Sequence, residues 1–228
     1  MSKEALTKIR DLSGLLIFPV LGMIYELLNA SKQGAENIGT VFDSFIPFVP
    51  VFILPYIFWY VFMFGFLLYF WWKNPGVYWK TIIAIVIGEI VCFVTYFFFQ
   101  TTVPRPQITG DGFLLQLVSM IYKADAPLNC FPSIHVLTTM IIMLSFNHLK
   151  DSRKLLNFFT QMTGILIILS TLFVKQHVIY DVIASIFLAA GLWVILFEWK
   201  AVTEKLEMLK NTRKDSAKKS GLSKDVTF

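Results

Sequence analysis

Charged residues are scarce in this chain, and their scarcity excludes a soluble globular protein. Only 15% of the 228 residues are charged, whereas 56% are hydrophobic and 16% are aromatic. A soluble domain has about 25% charged residues, which cover its surface. The many aromatic side chains, which include 23 Phe and 6 Trp, suit surfaces that face lipid and its interfaces. We therefore predict an integral membrane protein.

The common sequence signatures of metal and nucleotide sites are also absent. The sequence has no Cys-x-x-Cys pair, no His-Glu-x-x-His segment and no glycine-rich phosphate loop. Cys92 lies in an apolar run and Cys130 in a loop, which argues against a disulfide between them. The net charge of +5 arises mainly from basic residues that flank apolar runs, so nucleic-acid binding is not expected. We predict no cofactor and no dedicated metal site.

Long apolar runs predict an all-α membrane bundle of six spans, each of about 20 residues. A signal peptide is the alternative for the first run, but Pro19 and Glu26 within it favour a span. The bundle forms one predicted membrane domain, residues 1–199, followed by a lysine-rich tail, residues 200–228. The predicted spans are residues 12–28, 51–72, 79–99, 132–149, 155–174 and 177–199.

The distribution of lysine and arginine predicts the orientation of the bundle. Sixteen of these residues lie in the N-terminus, residues 73–80, residues 150–154 and the tail, whereas four lie in the segments on the opposite side. Cytoplasmic loops carry the excess of basic residues. Both termini are therefore predicted to be cytoplasmic, with the plasma membrane as the expected location. The longest loop, residues 101–131, is then extracytoplasmic.

A cluster of ionisable residues interrupts the apolar sequence near the last span, at Lys175, His177 and Asp181. Such groups are costly near hydrocarbon and persist mainly where they are paired, hydrated or used. The spacing of four places His177 and Asp181 on one helix face. There the carboxylate can accept from one imidazole nitrogen and leave the other free, which is the orientation that a catalytic histidine needs.

Other polar residues are predicted at the same, extracytoplasmic boundary. Two spans separate His135 from His177, so both return to one face, and Arg105 follows the third span on that face. Pro132 and Ser133 mark a helix N-terminus, whose free N–H groups suit phosphate. A single histidine or helix cap at such a boundary is more often structural. Their convergence therefore carries the prediction of a charged site.

These residues resemble the type 2 phosphatidic acid phosphatase superfamily over residues 98–185. The family motifs read K-x6-R-P, P-S-G-H and S-R-x5-H-x3-D. The matching segments here are Arg105-Pro106, Pro132-Ser133-Ile134-His135, and Ser170-Thr171 followed by His177 and Asp181. Phe98, Ile134 and Thr171 stand where the motifs have Lys, Gly and Arg, so two cations are missing. The segment Cys-Phe-Pro-Ser-Ile-His is similar to the branch of inositol phosphorylceramide synthases, which transfer phospho head groups between lipids.

The resemblance implies a membrane enzyme that hydrolyses a lipid phosphate or diphosphate without a metal. His177 would form a phosphohistidine, Asp181 would orient its ring, and His135 would act as acid and then as base. Charge on the phosphoryl oxygens would be offset by Arg105 and by Lys175 and Ser133. The expected partners are the lipid phosphate and membrane lipids, with the oligomeric state left open.

Two other functions remain open from the sequence. One is a phosphotransferase that uses an alcohol as acceptor instead of water. The other is a non-enzymatic protein that binds or transports a lipid head group, with Glu89 of the third span coupled to an ion. For Glu89, a role in helix packing is an equally weighted alternative.

Overall fold

Most of the chain is α-helical in the computed structural model, which describes residues 3–30, 34–149 and 154–199 with residues 201, 203–205, 208 and 209. The helices are α1 (Lys3–Leu12), α2 (Ile17–Asn29), α3 (Val41–Phe45), α4 (Ile53–Lys73), α5 (Pro75–Phe98), α6 (Phe113–Ala124), α7 (Ile134–Asn147), α8 (Lys154–Phe173) and α9 (Ile179–Trp193). The 3₁₀ turns Ser13–Leu16 and Pro50–Phe52 precede α2 and α4, a π-helical segment, Val194–Glu198, continues α9, and two short strands, β1 (Glu36–Asn37) and β2 (Thr101–Thr102), pair in parallel.

Five of the predicted spans are confirmed as helices long and apolar enough to cross a membrane. This indicates an integral membrane protein. The boundary between the second and third spans is sharp, because Pro75 cannot continue α4. The Asn74 side chain accepts hydrogen bonds from the N–H groups of Gly76 and Val77 and so caps α5. The five helical segments are Lys8–Asn29, Pro50–Lys73, Pro75–Phe98, Lys154–Phe173 and Ile179–Glu198.

The fourth predicted span is the short helix α7, which has 14 residues. A helix of this length extends about 21 Å, less than the hydrocarbon thickness of about 30 Å. It packs against α4, α5, α8 and α9, and side chains on several sides of it are buried, among them Leu137, Ile141, Ile142 and Phe146. A helix that is apolar all round belongs in a protein interior. The bundle therefore surrounds α7, and the core lies around it.

The long loop between the third and fourth predicted spans contains structure that was not predicted. Helix α6 lies within it, and its apolar positions Leu114, Leu117, Val118 and Ile121 recur with helical spacing and pack in a small cluster with Ile53. Helix α6 thus covers the start of α4. Most of the basic loop at residues 150–154 and most of the tail lie outside the described residues.

Hydrogen bonds from the β1–β2 region fix the segment that leads into α7. The Thr101 hydroxyl accepts from the N–H groups of Cys130 (3.1 Å) and Phe131 (2.9 Å). The Tyr96 hydroxyl donates to the carbonyl of Pro132 (2.5 Å). The chain therefore enters α7 from a defined position.

Candidate active site

The N-terminus of α7 carries the first predicted histidine. The predicted cap is present, since the Ser133 Oγ accepts a hydrogen bond from the Val136 N–H (3.4 Å). His135 follows in the first turn, and its ring lies against two aromatic rings of α4. The centroid of the His135 ring lies 4.6 Å from that of Tyr56, in a stacked arrangement, and 4.1 Å from that of Trp59. These two rings fix the plane of the imidazole.

The second histidine, His177, lies two residues before the start of α9. The Nδ1 atom of His177 lies 3.0 Å from the carbonyl oxygen of Cys130 and 3.2 Å from the Oδ2 of Asp181. Both partners accept hydrogen bonds, so the proton is assigned to Nδ1, and in the neutral ring the lone pair then lies on Nε2. The same Oδ2 accepts from the Val178 N–H (2.9 Å), and the Asp181 side chain is fully buried. The predicted interaction of His177 with Asp181 is therefore present, and it sets the tautomer of the ring.

The two histidines lie in the wall of one cavity of about 810 Å³. Their ring centroids are 6.1 Å apart, so both rings can reach a single phosphoryl group. Polar residues surround the end of the cavity that contains the histidines. Apolar residues of α2 and α4, with Glu89 of α5, line the part that extends between the helices. The polar residues at the histidine end include Arg105, Lys123, Asp125 and Gln176, and the apolar ones include Phe18, Leu21, Met63 and Phe64.

Arg105 lines the same cavity, but the protein itself holds much of its guanidinium. Its Nη1 donates to the carbonyl oxygens of Asp125 (2.7 Å) and Tyr122 (3.3 Å), and its Nη2 donates to the Oε1 of Gln176. The guanidinium also lies 4.5 Å from the centroid of the Tyr122 ring. Its Nε is buried and has no partner in the described part of the chain. The positive charge is thus fixed beside the histidines.

Two predicted substrate-binding residues do not line this cavity. The Lys175 ammonium donates to the carbonyl oxygens of Asp43 (3.0 Å) and Ile46 (2.5 Å), next to α3. Burial lowers the pKa of Lys175, an effect that the Asp43 charge partly offsets. Ser133 is fully buried and its hydroxyl caps α7. A role for either residue in binding phosphate stays a prediction.

Three polar residues of the cavity escaped the sequence analysis. Lys123 lies in the last turn of α6, Asp125 follows that helix, and Gln176 immediately precedes His177. The helical spacing of apolar residues in α6 was the available signal, because it would have placed Lys123 and Asp125 at the end of a packed helix. No sequence signal distinguished Gln176 from an ordinary loop residue.

Asp125 connects the cavity to α2. Its Oδ1 accepts from the Tyr25 hydroxyl (2.8 Å) and from the Asn29 side-chain amide (3.0 Å). Burial raises the pKa of the Asp125 carboxyl, and the hydrogen bond from Tyr25 and the charge of Arg105 partly offset that effect. These bonds keep the C-terminal end of α2 beside the histidines, so α2 forms one wall of the cavity.

One group of side chains has the composition of a metal site. Ligand atoms of Cys130, His177 and Asp181 lie within 4.8 Å of one another. The His177 and Asp181 atoms are however at hydrogen-bond distance, and burial raises the pKa of the Cys130 thiol well above its usual value. A protonated thiol is a poor metal ligand. The geometry therefore fits a hydrogen-bonded pair better than a metal centre.

A comparison with known protein families matches residues 77–204 to the PAP2 superfamily. The chain belongs to the PAP2 superfamily. Members of this superfamily are phosphatases or phosphotransferases that act on phosphate esters. The resemblance to the type 2 phosphatidic acid phosphatases is thereby confirmed at the level of the superfamily, whereas the inositol phosphorylceramide synthase-like branch stays a prediction. No curated protein and no solved structure matches the chain.

The three departures from the PAP2 motifs have distinct environments in the structure. Phe98, where the first motif has Lys, is 80% exposed at the end of α5. Ile134 lines the cavity next to His135. Thr171 is fully buried in α8, and its carbonyl oxygen accepts from the N–H groups of Gln176 (3.0 Å) and His177 (3.1 Å). Two motif cations are therefore replaced by an exposed ring and a buried hydroxyl.

Proposed function

We propose that this PAP2 protein is a membrane lipid phosphatase that hydrolyses a lipid phosphate or diphosphate through a phosphohistidine. The observation that carries the proposal is the pair of histidines on one cavity wall, with Nδ1 of His177 bound by Asp181 and the Cys130 carbonyl and with no partner for Nε2 among the described residues. A free imidazole nitrogen with a fixed tautomer is a competent nucleophile. The apolar part of the cavity between α2 and α4 supports a lipid as the substrate.

In the first half of the reaction, Nε2 of His177 attacks phosphorus and the bond from phosphorus to the lipid oxygen breaks. His135 donates a proton to that oxygen. A lipid phosphate then leaves as a neutral alcohol, and a lipid diphosphate leaves as the lipid monophosphate. The carboxylate of Asp181 stabilises the positive charge on the phosphorylated imidazole. The charge of Arg105 lies close enough to stabilise the phosphoryl oxygens.

In the second half, His135 accepts a proton from a water molecule whose oxygen attacks phosphorus. The bond between phosphorus and Nε2 of His177 breaks, inorganic phosphate leaves, and the nucleophile is restored. The role of His135 reverses between the two halves, as general acid–base catalysis of a double displacement requires. Each step uses only residues of the chain and the substrate, so a metal is not part of the proposed mechanism.

The proposal predicts phosphate release that does not depend on a divalent cation. Purified full-length protein should release inorganic phosphate from at least one member of a panel of lipid phosphates and diphosphates, at the same rate with and without EDTA. Loss of activity in EDTA that a divalent cation restores would contradict the metal-independent mechanism. Adding an alcohol tests the acceptor, because a phosphorylated alcohol in place of free phosphate would identify a phosphotransferase. Stoichiometric lipid binding without either product would identify a binding protein.

We also propose that the site faces the outside of the plasma membrane, with both termini in the cytoplasm. Lys123 lies beside the site, whereas Lys73 lies at the opposite end of α4, and both side chains are exposed. In a protein with Ser at positions 92 and 130, Lys123→Cys should react in intact cells with an impermeant thiol reagent and Lys73→Cys should not. The reverse labelling pattern would place the site in the cytoplasm.

A further inference from the structure

Two residues of the cavity wall, Arg105 and Gln176, have a buried polar atom without a hydrogen-bond partner among the described residues. The described residues contain five such side-chain atoms, and three of them belong to Arg105, Gln176 and Asp181. Buried donors are normally satisfied, so each exception requires an explanation. Arg105 Nε and Gln176 Nε2 are both donors, and both residues line the cavity beside His177. Two unsatisfied donors on one wall indicate a ligand with acceptor oxygens.

The orientation of the Gln176 amide follows from its neighbour. Nη2 of Arg105 can only donate, so the Gln176 atom that it contacts must be the acceptor Oε1. Rotating the amide by half a turn would place two donors against each other. Nε2, with two hydrogens, is therefore the atom without a partner, and the residue is only 2% exposed. Gln176 lines the same cavity as the nucleophile His177.

The PAP2 motif cations are absent at positions 98 and 171, so the site lacks two charged donors that the motifs supply. Lys175 is bound to carbonyl oxygens next to α3 and does not line the cavity. Arg105 uses Nη1 and Nη2 on protein oxygens. Among the described residues that line the cavity, the buried side-chain donors without a partner belong to Arg105 and Gln176.

We propose that Gln176 is a phosphate-binding residue of this enzyme, which donates from Nε2 to a non-bridging phosphoryl oxygen while its Oε1 holds Arg105. This proposal rests on the proposed function. In this proposal, a neutral amide binds phosphoryl oxygen in place of part of what the two missing motif cations would bind. The amide keeps the charge of Arg105 in place and adds a second donor, so the pair acts as one anion-binding unit.

Two substitutions separate binding by Gln176 from mere positioning of Arg105. Gln176→Met keeps a similar shape and removes both polar atoms. Gln176→Glu keeps an acceptor for Arg105 and removes only the donor, replacing it with a negative charge that would face the phosphate. Gln116→Leu is the matched control, because Gln116 is exposed on α6 and its side chain bonds only the Asp111 carbonyl among the described residues.

The measurement is inhibition of the full-length enzyme by inorganic phosphate and by orthovanadate. A hydrogen bond to a charged group corresponds to about 10- to 100-fold in affinity, so we expect both Gln176 variants to require that much more of either inhibitor. Gln176→Glu should be affected at least as strongly as Gln176→Met, and Gln116→Leu should match the wild type. If Gln176→Glu kept the wild-type inhibition constants, the donor would bind no phosphate and the inference would be wrong.

The controls keep the inference separate from the proposed function. A wild-type protein without phosphate release or inhibition by either anion would overturn the proposed function first. An active wild type with an unaffected Gln176→Glu variant would overturn only the role of Gln176. If Gln176→Met does not fold, Gln176→Glu decides alone, because it preserves the contact with Arg105 that supports the loop before α9.

Discussion

We expect His177→Ala to reduce phosphate release to the background rate. The substitution removes the nitrogen that attacks phosphorus in the proposed mechanism. Removal of the nucleophile of a covalent hydrolase lowers turnover by a factor on the order of 10⁶. The rate of phosphate release at saturating lipid is the direct measurement, with lipid binding measured in parallel.

A histidine outside the cavity provides the control for this loss. His148 lies at the C-terminus of α7, where its ring is 3.4 Å from the Glu198 carboxylate, and it does not line the cavity. His148→Ala should retain turnover near that of the wild type. Near-normal phosphate release by His177→Ala would remove the nucleophile from the mechanism and would favour the lipid-binding alternative.

His135→Ala should produce a loss that depends on the leaving group. General acid catalysis contributes about 10²- to 10⁴-fold, and we expect a loss of that size on a lipid monophosphate, whose alkoxide leaves poorly. An activated aryl phosphate leaves without protonation, so its first step should be much less affected. Pre-steady-state release of the phenol measures that step separately from hydrolysis of the phosphoenzyme. Equal losses on both substrates would indicate that His135 only positions other groups.

The aromatic rings stacked on His135 suggest a control variant for the His135→Ala experiment. Tyr56 and Trp59 hold the His135 ring, and the Trp59 indole donates to the Thr138 hydroxyl (2.9 Å). His135→Phe should preserve this stacking and remove the proton donor. A His135→Phe variant that loses activity with the same dependence on leaving group separates proton transfer from packing.

The sequence was sufficient to predict most of the bundle, because apolar runs and helix caps are local signals. It placed Arg105, His135 and His177 at one boundary by counting spans, and the structure brings these residues to one cavity. The same counting missed α6, since a helix packed on the start of α4 needs fewer apolar residues than a span. The length of α7 was also overestimated, because burial in protein and burial in lipid select similar residues.

The position of Lys175 shows why proximity in sequence was a poor guide to the phosphate-binding residues. Lys175 is two residues from His177, but its backbone has a positive φ of 56°. This left-handed conformation turns the chain between α8 and α9, and the lysine bonds carbonyl oxygens beside α3. Gln176 lies on the cavity wall instead. Of these two adjacent residues, only Gln176 lines the cavity, and composition does not reveal which of them does.

The carboxylate of Asp181 couples the start of a helix to the reactivity of a side chain. Its Oδ2 accepts both from the His177 ring and from the Val178 N–H, and the Ile179 N–H is bound by the Oδ1 of Asp43. A substitution that removes the acceptor therefore weakens the first turn of α9 and leaves the imidazole with the Cys130 carbonyl as its remaining acceptor among the described residues. Few substitutions are expected to be tolerated at position 181, since a change that lowers the reaction rate also destabilises the folded protein. Loss of expression and loss of rate should be inseparable there for all residues except those that retain an acceptor oxygen.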